Sequence, residues 1–201
     1  MSKMSKKKVI GITGSMGSGK SEISRYLRKK YPVLDCDQVN ADLLKKGNLG
    51  SQKLNDLHIV ELDSNGEIIK ESLASYMFSN EEHRKQVEAI LHPLIFDEMH
   101  KWIHEQESLI VFVEMPILFE ISAQEHFDSI WCVVADLDVA LSRLQTYRNF
   151  TREQALARLV SQMNPEEKMA KSDIVLRNNS TVEQLHMQIE DALKEEKLNG
   201  D

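Results

Sequence analysis

The sequence has few cysteines and no long apolar run, and each shortage excludes a class of protein. A membrane-spanning helix needs roughly 18 consecutive apolar residues, and no stretch of the 201 residues approaches that length. Val9, Ile10 and Ile12, which follow the basic start, are too few for the core of a signal peptide. Cys36 and Cys132 lack CxxC partners, so we expect buried thiols in a cytoplasmic protein that has no membrane partner.

An excess of positive charge is also absent. Lys and Arg together number 25 against 32 Asp and Glu, which gives a formal net charge of -7. A protein with this balance has no general field that attracts DNA or RNA, so we expect no nucleic-acid partner. A local basic pocket for a small anion remains compatible with the composition. The length favours a single domain over residues 1–201.

Apolar runs bounded by turn residues alternate with longer stretches of helical period. This pattern predicts an α/β protein in which helices flank a five-stranded parallel sheet. The predicted strands are 9–13, 32–36, 109–114, 130–135 and 173–176. The predicted helices are 20–30, 38–46, 81–106, 137–147, 152–162 and 181–197.

Two segments interrupt the alternation. The longer one, about residues 58–106, opens with a predicted hairpin that turns at Asn65-Gly66 and continues as two helices, so it predicts a helical lobe. The shorter one, about residues 148–171, is rich in charge and poor in large apolar residues. It predicts a helical lid with little core of its own.

Residues 14–21, Gly-Ser-Met-Gly-Ser-Gly-Lys-Ser, fit the pattern G-x-x-x-x-G-K-[ST] between the first strand and the first helix. The glycines allow the backbone to turn successive N–H groups toward an anion, and the helix start adds its own donors. The lysine is expected to reach the β- and γ-phosphates, and the last hydroxyl to bind Mg²⁺. The residues of this segment predicted to bind ATP are Gly14, Gly17, Ser18, Gly19, Lys20, Ser21 and Glu22.

The phosphate loop by itself serves GTPase switches as well as kinases. Residues 63–66 fit the DxxG of a switch, but they lie in the predicted hairpin turn, where Asp and Asn are common. Residues 171–173 fit the KxD of a guanine site, but Ala170 replaces the Asn or Thr that should precede them. Both matches are interpreted as coincidence.

A small-molecule kinase needs a group that orients the acceptor hydroxyl and cations over the phosphates. Asp35 and Asp37 end the second strand, where ligands of open α/β sheets bind, although Asp37 is equally suited to cap the following helix. Glu114 ends the third strand as a Walker-B acid would and is expected to reach Mg²⁺ through water; a strand-end carboxylate without a role is the alternative. The candidate arginines are Arg143, Arg148, Arg152 and Arg158, of which one or two are expected to matter.

Several separated segments together resemble the dephospho-CoA kinase family. They are 12–21, 35–37, 91–95 (Leu-His-Pro-Leu-Ile), 115–120 (Met-Pro-Ile-Leu-Phe-Glu), 158–168 and 173–178. The resemblance implies a P-loop kinase fold with a substrate lobe and a lid. It also implies transfer of a phosphoryl group from ATP, with Mg²⁺, to the 3′-hydroxyl of the ribose of dephospho-CoA, the last step of coenzyme A biosynthesis.

The resemblance also implies roles for single residues. Asp37 would act as base or orienter of the hydroxyl, with Asp35 near substrate and metal. Arg148 would be a catalytic arginine of the lid, and Arg143 and Asn178 would bind ATP. His92 falls in the segment that docks the substrate, and a structural histidine ahead of a proline is the alternative.

The sequence departs from the family at Ser15, Glu22 and Arg177, and the spacing from Arg143 to Arg148 is one residue longer than expected. A nucleotide-binding regulator without catalysis therefore stays an alternative, as does a nucleoside-monophosphate-type kinase. We expect a monomer or a weak homo-oligomer.

Overall fold

The computed structural model describes residues 7–198, so both ends of the predicted domain 1–201 lie outside the described residues. The chain divides into two compact units. The first comprises the described residues up to Leu34 together with those from Gln106 onward, and the second is Asp35–Glu105.

Five strands form one sheet in the order β2-β3-β1-β4-β5. Strand β1 pairs in parallel with β3 and β4, and β4 pairs in parallel with β5. The predicted parallel α/β fold is therefore confirmed. The strands are β1 (Lys8–Gly14), β2 (Val33–Asp35), β3 (Ile110–Glu114), β4 (Ser129–Val134) and β5 (Ile174–Arg177).

The helices that the structure describes are divided between the two units. The second unit holds α2 (Cys36–Leu43), α3 (Leu49–Asp56), α4 (Lys70–Ser79) and α5 (Glu81–Glu105). The first unit holds α1 (Lys20–Leu27), α6 (Leu137–Arg148), α7 (Arg152–Val160), α8 (Pro165–Ala170) and α9 (Val182–Leu198), with a short 3-10 helix at Gln124–His126. Within residues 7–198, no helix is both long and apolar enough to cross a bilayer.

The core of the first unit lies between the sheet and helices α1 and α9. Ile12, Phe112 and Trp131 are fully buried, and they share one cluster with Leu27 of α1 and Ile189 of α9. Strand β4 is buried at every position, which is expected of a strand covered on both faces and explains its near-continuous hydrophobic run.

In the second unit, the long helix α5 packs against α2, α3 and α4. Its buried Val87 and Leu91 form a core with Leu54 of α3. The predicted hairpin has one antiparallel bridge, between Leu62 and Ile68. Backbone bonds from the Asp63 N–H to the Glu67 oxygen and from the Ile69 N–H to the Glu61 oxygen, both 2.8 Å, hold the turn together with the Asp63 carboxylate. Helix α3 was not predicted.

Candidate active site

The phosphate loop joins β1 to α1, as the sequence predicted. Gly14 and Gly19 have φ angles of 145° and 100°, which side-chain-bearing residues rarely adopt. A Cβ on Gly14 would also lie 2.2 Å from the carbonyl oxygen of Val133, and a Cβ on Gly19 would lie 2.0 Å from Nδ2 of Asn178. Glycine is therefore required at both ends of the loop for conformational and for steric reasons.

Lys20 and Ser21 open helix α1, where the helix dipole and the first N–H groups favour an anion. The Lys20 ammonium donates to the carbonyl oxygens of Gly14 at 2.7 Å and Ser15 at 3.0 Å, so it lies along the loop that it is predicted to serve. The Ser21 side chain is exposed. Lys20 and Ser21 thus lie in the first turn of α1, beside the glycine-rich loop.

Arg143 of α6 and Asn178 after β5 hold the carbonyl side of the loop. The Arg143 guanidinium donates to the backbone oxygens of Gly17 (3.3 Å) and Ser18 (3.4 Å), and to the main-chain and side-chain oxygens of Asn178 (3.0 and 3.1 Å). The buried Asn178 amide donates to the Ser18 oxygen at 2.8 Å. Because a trans peptide directs its N–H opposite to its C=O, holding the Ser18 oxygen turns the Gly19 N–H to the other side of the loop.

Glu114 ends β3 next to the strand that leads into the loop, since it pairs in register with Ile12 of β1. Its side chain is buried, and Oε2 accepts a hydrogen bond of 2.6 Å from the Ser24 hydroxyl. Ser24 lies one turn after Ser21 on α1. Carboxylate and hydroxyl oxygens are common ligands of Mg²⁺ in proteins, so the residue types present here fit that ion.

The Glu22 carboxylate, a departure from the family pattern, has two side-chain partners. It forms an ion pair with Arg25 of the same helix, and its Oε1 lies 3.1 Å from Nε2 of His186 of α9. The His186 ring also lies 4.1 Å from the ring of Tyr26, centroid to centroid. These contacts hold Glu22 toward α9, and its predicted role in ATP binding stays a prediction.

The arginines of the predicted lid occupy different positions. Arg148 ends α6 and is exposed. Arg158 stacks over the Phe150 ring, with its guanidinium carbon 4.7 Å from the centroid, and Arg152 lies 3.8 Å from Asp138.

Two residues of the first unit that sequence reasoning had placed only within family motifs make defined contacts. Gln162 accepts the N–H of Met16 in the phosphate loop at 2.9 Å. Lys168 is fully buried, and its ammonium binds the carbonyl oxygen of Pro116 at 2.9 Å and Glu120 at 2.8 Å. Both residues lie in the family motif at 158–168, and the partners of Lys168 lie in the motif at 115–120. The motifs alone do not show which of their residues contact each other.

The second unit carries the acidic candidates and His92. Asp35 caps helix α2, with Oδ1 accepting the N–H groups of Asp37 (2.9 Å) and Gln38 (3.3 Å). The capping alternative for Asp37 is therefore wrong, because the helix begins two residues earlier than predicted and Asp37 lies exposed in its first turn. Burial lowers the pKa of His92, with the nearby Glu88 opposing, so its neutral form is favoured.

Among residues 7–198 no group of three or more His, Cys, Asp and Glu side chains could hold a metal ion. Both cysteines are buried, and burial raises the pKa of the Cys132 thiol, which keeps it protonated.

Comparison with known sequences places the chain among enzymes of one kind. A model of the dephospho-CoA kinase family matches residues 8–184. A dephospho-CoA kinase of Bacillus cereus is 34% identical, with 92% of this chain and 96% of that protein covered. One of Fusobacterium nucleatum is 31% identical, with 90% and 95% covered.

Comparison with solved structures finds similar folds. A Thermus thermophilus protein has a TM-score of 0.83 at 32% identity, covering 94% of this chain and 98% of that one. Campylobacter jejuni dephospho-CoA kinase (TM-score 0.70, 23% identity, 97% and 100% covered) and Acinetobacter baumannii shikimate kinase (0.57, 13%, 97% and 96%) share the fold. With a phosphate loop clamped by Arg143 and Asn178 and a family match over nearly its whole length, the chain belongs to the dephospho-CoA kinase family.

Proposed function

We propose that the protein transfers the γ-phosphoryl group of ATP to the 3′-hydroxyl of the ribose of dephospho-CoA, giving coenzyme A and ADP. The observation that carries this proposal is the phosphate loop. An anion site is supported by the glycine conformations of the loop, by its lysine, and by Arg143 and Asn178, which bind the loop carbonyls. The chain matches the family over residues 8–184.

The loop would bind the triphosphate through backbone N–H groups, with Lys20 on the β- and γ-phosphates. Ser21 would hold Mg²⁺, with Glu114 and Asp35 reaching it through water. The ion, when bound, neutralises charge on the phosphates. The hydrogen bond from Ser24 holds one oxygen of the buried Glu114 in place, which supports the proposal that this carboxylate reaches Mg²⁺ through water.

Asp37 would accept or orient the proton of the attacking hydroxyl. Its exposed position in the first turn of α2 supports this role, because the cap is provided by Asp35 and not by Asp37 itself. The second unit would hold the acceptor. Neutral His92 offers one ring donor and one ring acceptor to a substrate, and its pKa direction fits that role.

The segment 148–171 would close over the phosphates as a lid. Arg148, exposed at the end of α6, would then contact the transferring phosphoryl group, where a guanidinium stabilises spread negative charge.

The direct test is ADP release by the purified protein with Mg²⁺ and ATP, measured with dephospho-CoA and with a panel of nucleoside monophosphates. We expect turnover with dephospho-CoA and formation of coenzyme A. Preference for a monophosphate would overturn the acceptor assignment. Tight ATP binding without turnover on any acceptor would favour the regulator.

Two substitutions test the roles separately. Lys20→Ala should abolish turnover. Asp37→Asn should lower kcat by about 10²-fold or more while ATP still binds, as loss of a general base does. Asp42→Asn is the matched control, since Asp42 lies on the same helix and is a half-exposed carboxylate that pairs with Lys45. If Asp37→Asn and Asp42→Asn have equal kcat, Asp37 is not the base.

A further inference from the structure

Met16 joins the phosphate loop to the segment 148–171 in two ways. Its backbone N–H donates to Oε1 of Gln162 at 2.9 Å. Its side chain packs against the apolar cluster that α6 and α7 form around Leu141, Leu144 and Ala155. One residue of the loop is therefore attached to this segment by main chain and side chain at once.

The chemistry of this bond fixes the orientation of Gln162. Because the Met16 N–H is a donor, the facing atom must be the carboxamide oxygen, and the NH₂ group is directed away. The next N–H along the chain, that of Met163, donates to Oε1 of Glu120 at 3.3 Å. The connection between α7 and α8 is thus tied at neighbouring residues to the loop after β1 and to the loop after β3.

Apolar packing alone does not fix this joint. Met16 and Gln162 border an open pocket of about 590 Å³, which Leu156 of α7 and Met169 of α8 also line. Close packing holds the parts of a protein in place, and on the side of this pocket the two residues have no packed neighbours. The position of the loop tip relative to α7 therefore depends strongly on the directed hydrogen bond.

We infer that Gln162 is a positioning residue for phosphoryl transfer, acting through the N–H of Met16; this rests on the proposed kinase function. Met16 lies in the glycine-bounded tip of a loop whose backbone cradles the terminal phosphates. Small displacements of a positioning group reduce rate because the reacting atoms lose alignment. Gln162 links that tip to the connection between α7 and α8, so the loop tip and this connection keep a fixed spacing.

The test compares Gln162→Met with Gln145→Met. Methionine keeps the length of the side chain and removes the strong acceptor, and Gln145 is an exposed residue on α6. In Gln162→Met we expect faster hydrogen exchange at the Met16 amide, with the Ser18 amide, which donates within the loop to Ser15, as internal reference. We also expect kcat/KM for ATP to fall about three- to tenfold, the size of one lost hydrogen bond, with a melting temperature within about 5 °C of that of the control.

Each outcome bears on the inference. Unchanged Met16 exchange in both Gln162→Met and Gln162→Ala overturns it, and the alanine variant serves if the methionine variant fails to fold. Faster exchange with control-like kinetics also overturns it, because the bond is then structural only. If dephospho-CoA is not an acceptor at all, the proposed function fails, and a three- to tenfold loss of ATP affinity by calorimetry in Gln162→Met still supports the positioning role.

Discussion

The buried ion pair of Lys168 permits a quantitative prediction. The Lys168 side chain is 0% exposed and Glu120 is 24% exposed, with Nζ and Oε1 2.8 Å apart. Lys168→Met removes the cation and leaves the carboxylate facing a carbonyl oxygen, that of Pro116, which shared the same ammonium. Breaking a buried pair costs about 3–5 kcal/mol, and the partial exposure of Glu120 reduces this to about 2–4 kcal/mol. For a chain of this length that loss lowers the melting temperature by about 4–16 °C.

Two comparisons sharpen this prediction. Lys194→Met removes a partner from a pair with the same 2.8 Å separation whose side chains are 72% and 73% exposed, so it should cost less than about 1 kcal/mol. Adding Glu120→Gln to Lys168→Met should restore part of the loss, because no buried charge is then left unpaired.

Thermal melting followed by the fluorescence of Trp131 reports on the first unit, in which that ring is fully buried. A Trp102→Phe background removes the second tryptophan of the sequence. If Lys168→Met and Lys194→Met melt within about 2 °C of each other, burial does not make the first pair more important, and the reasoning is wrong.

Three further predictions concern the loop and the C-terminal helix. Asn178→Asp places an acceptor against the Ser18 oxygen in a buried position, so ATP affinity measured by calorimetry should fall about tenfold or more. Gly19→Ala should abolish ATP binding in the same assay, since the new Cβ meets Asn178 at a φ of 100°. Burial raises the pKa of Glu196, but its hydrogen bonds, that from Lys8 among them, outweigh this and the pKa is lowered. Such a carboxylate stabilises the fold above its ordinary pKa of 4.5 and less as the pH falls, so Glu196→Gln should flatten the loss of melting temperature below about pH 4.5.

The sheet and the phosphate loop could be predicted because their signals are local. The strands are short apolar runs bounded by turns, and the loop motif occupies eight consecutive residues between a strand and a helix. Helix α3 was missed for the opposite reason. Its buried positions are Gly50, Ser51 and Leu54, so small residues let it approach α5 without leaving an apolar stripe in the sequence.

Contacts between distant residues could not be predicted in detail. The charged segment 148–171 was expected to contribute little to the core, yet Lys168 is fully buried because Glu120 and a carbonyl oxygen compensate its charge. The bond between Met16 and Gln162 joins residues 146 positions apart, and neither residue alone signals it. The family resemblance named Arg143 and Asn178, but only the structure shows that they bind the loop carbonyls and each other.

The clamp on the phosphate loop has a consequence for the newly made chain. Asn178 and Ser18 are separated by 160 residues, so a ribosome adding about 5–20 residues per second delivers the amide roughly 8–30 seconds after the serine. During that interval the emerging polypeptide carries the glycine-rich turn without the group that orders it. Fragments released before Asn178 is added should therefore not bind to a resin that carries ATP. Fragments that end just beyond α9 should bind to it.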